Sequence, residues 1–183
     1  RQWLYVGLLS AGQFLNERAK HVWKTWGHQV PALEVFTGIS GVDPGGLPVV
    51  QLPGIDETEY PPQHKSFAML SYICAHHVDK FDWFLRADDD VYVKVDSLQS
   101  LLMSMESNEP VYMGQSGYGR AEDQGRLGLG GHSFCMGGPG VVVSRAAMKG
   151  LCRYVKRCQD EVVSNEEDVE IGRCFIRHLG MQC

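Results

Sequence analysis

The stretch Phe81-Asp82-Trp83-Phe84-Leu85-Arg86-Ala87-Asp88-Asp89-Asp90 joins a mostly apolar run to three consecutive carboxylates. A short apolar run of this kind is typical of a strand buried in a central sheet. The carboxylates follow where the strand ends, and ligands of open α/β sheets bind beyond the carboxyl ends of the strands. The sequence therefore predicts a buried strand over 81–87 that delivers an acidic cluster to one edge of a sheet.

The acidic triplet Asp88–Asp90 favours a divalent cation. Adjacent like charges repel, and hard oxygen ligands suit Mg²⁺ or Mn²⁺, which keep several waters and bridge substrate phosphates. In an extended segment Asp88 and Asp90 point to one side and Asp89 to the other. We therefore predict Asp88 and Asp90 as the pair for a metal-bound diphosphate. The alternative is a solvated acidic turn, but the predicted buried strand directly before the triplet favours the metal site over that alternative.

Strand-like and helix-like segments alternate along the rest of the chain. Further strands are predicted at 4–9, 33–37, 49–52 and 111–114, with an interrupted strand over 134–143. Helices are predicted at 13–26, 61–78, 145–157 and 166–179, with one more that Asp96 would cap. The glycine-rich stretch 114–131 is predicted to be a mobile loop and 41–48 a turn. This alternation implies an α/β fold with a largely parallel central sheet.

Length and charge exclude several classes of protein. The 183 residues suit one domain, and 17 Lys and Arg against 22 Asp and Glu give a formal charge of −5. An acidic chain of this kind argues against nucleic acid as a partner. No apolar run approaches the roughly 18–20 residues that span a bilayer. Because the chain starts at Arg1, we expect a fragment or processed product, and any membrane anchor would lie upstream.

A second carboxylate cluster follows Ser164. Ser164-Asn165-Glu166-Glu167 matches a capping box, with Ser164 as N-cap and Glu167 at the third helical position. That interpretation explains Asp168 less well, because the cap is already satisfied. A carboxylate at a helix start that faces a cleft can serve as a general base. From these residues alone, the capping role is the stronger interpretation.

The cysteines suit a disulfide framework. An even count that clusters toward one end of a chain is typical of an oxidising compartment, although six cysteines allow fifteen full pairings. Cys74 lies in the apolar stripe of a predicted helix and can equally be a small buried hydrophobic residue. The six cysteines are Cys74, Cys135, Cys152, Cys158, Cys174 and Cys183.

In combination, these motifs resemble the N-terminal glycosyltransferase half of the chondroitin sulfate synthases. Those proteins belong to the β1,3-glycosyltransferase superfamily that also holds Fringe and the core-1 galactosyltransferases. The acidic triplet, a Gly-Gly-x-Gly turn and Glu-Asp-Val in this order carry the superfamily resemblance. The segments that narrow it to chondroitin synthases are Tyr60-Pro61-Pro62-Gln63, Phe134-Cys135-Met136-Gly137-Gly138-Pro139-Gly140 and Gly172-Arg173-Cys174.

The resemblance implies a glycosyltransferase-A-type, Rossmann-like mixed sheet flanked by helices, a UDP-sugar donor and Mn²⁺ or another divalent cation. It implies Asp90 and Asp88 as metal ligands and Asp168 as the general base. The residues expected to bind UDP are Ser10, Ala11, Arg18, Asp88 and Asp89. The residues expected to contact the sugars or the acceptor are Gly137, Gly138 and Glu167.

The implied reaction is an inverting β1,3 transfer of glucuronic acid from UDP-glucuronate to a terminal GalNAc of a chondroitin oligosaccharide. The alternatives are a β1,3-galactosyltransferase acting on O-linked GalNAc and a non-catalytic polymerising partner subunit. The resemblance also implies the Golgi lumen, a type II membrane protein, and a complex with other chondroitin synthase or polymerising-factor subunits. A cation should meet the donor carboxylate, and the candidates are Lys65, Arg86, Arg120 and Arg126.

The superfamily's metal-binding histidine is expected beyond Cys183, so none of the seven histidines, His132 near the glycine-rich loop included, is assigned to the metal. We accordingly expect 1–183 to be a single transferase domain truncated at its C-terminal end. Cys158–Cys174 is the preferred disulfide, since it would tie the last two helices together, and Cys135–Cys183 is possible. Cys74 and Cys152 are expected to be free.

Overall fold

The computed structural model describes residues 1–38, 44–121 and 125–183. Its strands are β1 (Gln2–Leu9), β2 (Ala32–Thr37), β3 (Val49–Gln51), β4 (Phe81–Asp88), β5 (Tyr112–Gly114), β6 (Ser116–Gly117), β7 (Phe134–Cys135) and β8 (Val141–Ser144). A six-stranded mixed sheet in the order β3-β2-β1-β4-β8-β5 forms the centre of the fold, and β6 pairs with β7 in a separate two-stranded sheet.

The strand register explains why distant motifs meet at one edge of the sheet. β1 and β4 are parallel neighbours, with Leu9 opposite Asp88, so Ser10 lies beside the acidic triplet. β8 runs antiparallel to β4, with Val141 opposite Arg86, so the glycine turn that precedes β8 reaches the same edge. The prediction of a parallel sheet therefore holds for β3-β2-β1-β4, whereas β8 and β5 are antiparallel additions.

Helices cover both faces of the sheet, which confirms the α/β class. One apolar core contains Phe67, Phe84 and Phe175, and the other contains Trp26 and Trp83. The helices are α1 (Lys20–Thr25), α2 (Gln63–His76), α3 (Val95–Met103), α4 (Arg145–Cys152), α5 (Val155–Asp160) and α6 (Glu167–Leu179). No helix in the three described ranges is long and apolar enough to cross a membrane.

Three predicted elements are each divided into shorter elements in the structure. The helix predicted over 13–26 begins as a 3-10 turn (Gly12–Phe14) and a π-helical turn (Leu15–Ala19) before α1. The helix predicted over 145–157 is two helices, α4 and α5. The strand predicted over 134–143 divides between two sheets, because the chain turns at Gly137–Gly140, where the Gly140 amide donates to the Gly137 carbonyl (2.9 Å). The glycine-rich loop contains β6, and residues 41–43 and 122–124 of the predicted turn and loop lie outside the described residues.

Both predicted helix caps are wrong. Lys94 is the N-cap of α3, and Asp96 lies inside the first turn. Glu166 is the N-cap of α6, which begins at Glu167, so Ser164 lies too early to cap it. The capping box fails because the Glu167 carboxylate accepts hydrogen bonds from the distant side chains of Ser66 and Arg86 and not from the local backbone.

All six cysteines are paired. The Cys158–Cys174 and Cys135–Cys183 disulfides agree with the expected pairings, whereas the expectation that Cys74 and Cys152 are free is wrong. Cys74 lies on α2 and Cys152 ends α4, and these helices pack side by side on the same face of the sheet. Their Cα atoms are 5.5 Å apart, which is the ordinary separation across a disulfide.

Candidate active site

A cavity of about 720 Å³ opens at the carboxyl ends of β1 and β4. The metal, donor, acceptor and base residues that the resemblance implies all line this one cavity, although they come from four separate parts of the chain. This is the position at which open α/β sheets bind their ligands. The residues brought together are Ser10, Ala11, Arg18, Asp88, Asp89, Asp90, Gly137, Gly138, Glu167 and Asp168.

The acidic triplet spans the end of β4 and the turn that follows it. β4 ends at Asp88, and the Val91 amide donates to the Asp88 carbonyl (3.3 Å), so strict strand alternation stops there. Asp89 is therefore directed into the cavity wall, where its carboxylate accepts from the Ser10 hydroxyl (2.6 Å) and lies 3.6 Å from Arg18. Asp89 is thus held in place by groups from the segment between β1 and α1.

The electrostatics of the triplet suit a cation. Burial raises the pKa of Asp88, the charges of Asp90 and Asp89 raise it further, and Arg86 opposes both effects. Across the part of the chain that the structure describes, no group of three or more His, Cys, Asp or Glu side chains is arranged to hold a metal. Mg²⁺ and related cations are commonly held by one or two carboxylates together with substrate phosphates. Asp88 and Asp90 fit that type of site, in which a diphosphate completes the coordination.

Arg86 connects the triplet to the two other parts of the site. Its guanidinium lies 3.0 Å from Asp88, donates to the Gly137 carbonyl (2.7 Å) and forms a close ion pair with Glu167. Glu167 also accepts from the Ser66 hydroxyl. Burial raises the pKa of Glu167, and Arg86 lowers it without cancelling the effect of burial. Arg86, a candidate for the donor carboxylate, is therefore engaged by carboxylates of its own chain.

A side chain at one position of the glycine turn would displace the buried Arg86–Glu167 ion pair. A Cβ atom on Gly137 would lie 2.9 Å from both the Arg86 Nη1 and the Glu167 Oε1 atoms. No atom lies within 4 Å of the corresponding point at Gly138, which borders the open cavity. The first glycine thus makes room for the ion pair, and the second leaves free space next to the cavity.

Asp168 lies in the first turn of α6 and faces the cavity. Its Oδ2 atom accepts from the Gly137 amide (3.0 Å), and its Oδ1 atom accepts from the Val169 amide (2.8 Å). Gly137 therefore links Asp168 to Arg86, because its N–H donates to the Asp168 carboxylate and its carbonyl accepts from the Arg86 guanidinium. A half-buried carboxylate fixed in this way beside a cavity has the chemistry of a general base.

Sequence reasoning missed a buried ion pair at the base of the cavity. Lys65 is 2.9 Å from Glu57 and donates to the Ser10 carbonyl (2.8 Å). Glu57 also accepts from the backbone amides of Gly12 (2.6 Å) and Gly38. Burial raises the pKa of Glu57, but these donors outweigh it and the pKa is lowered. Glu57 lies in an irregular stretch, so only the folded arrangement reveals its partners.

The remaining sequence candidates lie outside the cavity. Arg120 and Arg126 are exposed and do not line it, so of the four candidate cations only Lys65 and Arg86 do. His132 is exposed as well, and its Nδ1 atom lies 3.3 Å from the Gln182 side chain.

Known proteins resemble the chain over almost its full length. Residues 2–183 match the Fringe-like family. The chain is 44% identical to human chondroitin sulfate synthase 3 over 100% of its own length, 33% identical to human beta-1,3-glucosyltransferase over 94%, and 30% identical to human chondroitin sulfate glucuronyltransferase over 100%. The chain spans only 21%, 32% and 22% of the lengths of these relatives.

Solved structures share the fold. The galactosyltransferase LgtC, determined in complex with donor and acceptor sugar analogues, superposes with a TM-score of 0.55 over 93% of this chain and 70% of its own, at 12% sequence identity. The fold is thus of the glycosyltransferase-A type, as the motifs implied. The sequence match confirms the resemblance to chondroitin synthases. The chain therefore belongs to the Fringe-like family and is a glycosyltransferase domain.

Proposed function

We propose that this domain is an inverting β1,3-glycosyltransferase that moves glucuronic acid from UDP-glucuronate to a terminal GalNAc of chondroitin. The observation that carries the proposal is the convergence of Asp88, Asp90 and Asp168 in one cavity. The first two supply oxygen ligands for a cation and a diphosphate, and the third supplies a base. Gly137 and Arg86 join the two groups by hydrogen bonds, so their relative position is fixed before substrate arrives.

The donor half of the cavity is formed by Ser10, Ala11, Arg18 and Asp89. Ser10 and Arg18 are both anchored on Asp89, which positions them to face the nucleotide. The Arg18 guanidinium packs 3.9 Å above the Phe14 ring, and its side chain remains 46% exposed. A divalent cation held by Asp88 and Asp90 would neutralise the charge that builds on the departing diphosphate.

The acceptor half is formed by Gly138, Glu167 and Asp168. Asp168 accepts the proton of the acceptor 3-hydroxyl as that oxygen attacks the anomeric carbon on the face opposite the leaving diphosphate. A single displacement of this kind converts an α-linked donor into a β-linked product. The space at Gly138 allows a sugar to approach the backbone closely. Glu167 supports the base next to it by holding Arg86.

The donor assignment rests on relatives whose names specify chondroitin synthesis and glucuronyl transfer. A glucuronate donor brings a carboxylate and a diphosphate into a cavity whose Lys65 and Arg86 are already paired with carboxylates. Arg18 would then supply the neutralisation, together with a divalent cation held by Asp88 and Asp90. We place the domain in the Golgi lumen, within a longer protein that associates with other chondroitin synthase or polymerising-factor subunits.

A donor screen tests the proposal. UDP release is measured with UDP-glucuronate, UDP-galactose and UDP-glucose, each with Mn²⁺ and with or without a GalNAc-terminated chondroitin oligosaccharide. We expect acceptor-dependent release from UDP-glucuronate. UDP release from UDP-galactose or UDP-glucose, with none from UDP-glucuronate, would contradict the donor assignment. Chondroitin synthesis that survives Asp90→Ala in the full-length protein would contradict catalysis and indicate a scaffolding subunit.

A further inference from the structure

Tyr60 is an aromatic residue on the cavity wall that none of the roles above uses. The residue is 92% exposed, the highest exposure of any large hydrophobic residue in the described ranges. It nevertheless lines the cavity, between Glu59 and Pro61, which also line it. An exposed ring at the rim of a polar cavity presents apolar surface that a ligand can cover.

The loop that carries Tyr60 is fixed by polar contacts at both ends. Before Tyr60, the Asp56 carboxylate accepts from the Thr58 amide (2.8 Å), and Glu59 holds the His64 ring at 2.5 Å. After Tyr60, the Gln63 side chain donates to the Ser164 carbonyl (2.8 Å) across the cavity edge. Pro61 and Pro62 restrict their own φ angles. The backbone is therefore held while the Tyr60 ring is left uncovered.

A ring presented in this way is prepared for stacking. A tyrosine supplies a large, rigid and amphipathic contact area at a low cost in conformational entropy, and a rigid loop lowers that cost further. Pyranose sugars have one face made of C–H bonds and hydroxyls around the edge, which complements an aromatic face bordered by polar groups. The geometry thus favours a sugar ring as the ligand of Tyr60.

The charges near Tyr60 select the kind of sugar. Glu59 flanks it in sequence, and Glu57 and Glu166 line the same cavity. The Lys65 and His64 side chains lie against Glu57 and Glu59, so they offer little to the carboxylate of an anionic sugar, and a neutral sugar is the better match. The nucleotide side of the cavity is formed by Ser10 and Asp89 next to the buried sheet, whereas Tyr60 stands at the solvent-facing rim. In the proposed reaction the donor sugar carries a carboxylate, so the neutral sugar is the terminal hexosamine of the acceptor.

We propose that Tyr60 is the acceptor platform of this domain, on which the neutral N-acetylhexosamine ring at the acceptor terminus stacks. The inference rests on the proposed transferase function and extends it to a specificity-determining residue. It assigns Tyr60 to acceptor binding and gives it no part in donor binding or in the chemical step.

Steady-state kinetics with varied acceptor and varied UDP-glucuronate test the platform. Tyr60→Ala should raise the acceptor KM by about tenfold, as for loss of one aromatic contact, with the donor KM and kcat within about twofold of wild type. Tyr60→Phe should retain the wild-type acceptor KM, because the ring is kept. Tyr118→Ala removes another exposed ring, 67% exposed and outside the cavity lining, and should change nothing. An unchanged acceptor KM in Tyr60→Ala, or an equal rise in the donor KM, would overturn the inference.

A binding experiment separates this inference from the proposed function. Saturation-transfer NMR with UDP, Mn²⁺ and a GalNAc-terminated chondroitin oligosaccharide needs no turnover, and wild type should show contact to the terminal ring protons that Tyr60→Ala loses. Tyr60-dependent binding without glucuronyl transfer would support the platform and contradict the donor assignment. Glucuronyl transfer with binding that does not depend on Tyr60 would support the donor assignment and contradict the platform. Absence of binding to the wild-type protein would also contradict the platform.

Discussion

Arg86→Met tests whether the buried arginine holds the site together. The guanidinium pairs with Asp88 and Glu167 and donates to the Gly137 carbonyl, and the Arg86 and Glu167 side chains are each only 9% exposed. Methionine fills a similar volume without charge. The substitution therefore leaves two carboxylates without their cation while it disturbs the apolar packing little.

The expected loss of stability is large. Removing one partner of a buried ion pair costs about 3–5 kcal/mol, because the remaining charge stays buried and unpaired. Asp88 is 33% exposed and can recover some hydration, so most of the loss comes from Glu167. A domain is typically stable by about 5–15 kcal/mol, so the variant should remain folded but lose a substantial share of its stability.

Urea unfolding at pH 7 and pH 4 measures the effect. Burial already raises the pKa of Glu167 and of Asp88 while Arg86 opposes it, so both pKa values rise further in Arg86→Met. Above the unfolded carboxyl pKa of about 4, the folded variant then binds more protons than the unfolded chain, and its stability falls as pH rises. The difference from wild type should therefore be larger at pH 7 than at pH 4.

Arg157→Met is the control, since Arg157 forms an exposed ion pair with Glu161 on one helix face. It should unfold at nearly the wild-type urea concentration. Arg86→Lys should fall between wild type and Arg86→Met, because lysine keeps the charge and loses the planar fork. A loss below about 1 kcal/mol in Arg86→Met, or a loss that does not shrink at pH 4, would refute the reasoning.

Three further predictions concern other parts of the fold. Replacing Cys74 and Cys152 together by serine opens a loop with a sequence separation of 78 and should cost about 4.5 kcal/mol in urea unfolding; an unchanged midpoint would contradict a native disulfide. Burial lowers the pKa of His77, although Glu34 opposes the shift. The contribution of neutral His77 to stability should therefore be fully present above the unfolded pKa of about 6.5 and should be lost as pH falls through the folded pKa. His77→Phe should flatten that part of the Tm profile, and an unaltered slope between pH 7.5 and pH 5 would argue against the assignment. Gly137→Ala places a Cβ atom 2.9 Å from Arg86 and Glu167 and should cost about 1–3 kcal/mol and lower kcat, whereas Gly138→Ala should fold with wild-type stability; equal effects would contradict the packing argument.

Local sequence patterns predicted most of the strands and helices, and they predicted that the acidic triplet follows a buried strand. The apolar run that ends in Asp88–Asp90 is a buried strand, and its carboxyl end opens on the cavity. The residues that the resemblance assigned to donor, metal and acceptor all reach that cavity, because β1, β4 and the turn before β8 meet at one edge of the sheet. Their individual roles remain predictions.

The errors came from interactions that join distant parts of the chain. Glu167 matches a local capping pattern, yet its carboxylate binds Ser66 and Arg86, which lie 101 and 81 residues away in the sequence. The Cys74–Cys152 disulfide depends on two helices packing side by side, which no local period encodes. Glu57 likewise acquires its hydrogen bonds only when the chain folds, because the Gly12 and Gly38 amides that bind its carboxylate follow the ends of β1 and β2.

Acceptor-dependent UDP release by Asp168→Asn is the most direct test that this cavity performs base-assisted glycosyl transfer. Asparagine can still accept the Gly137 hydrogen bond but cannot take the acceptor proton. Asp160→Asn, at an exposed carboxylate paired with Lys156, serves as the matched control. The account predicts that kcat falls by about 10²–10⁴ in Asp168→Asn, with UDP affinity and the control unchanged. A wild-type kcat in Asp168→Asn would contradict it.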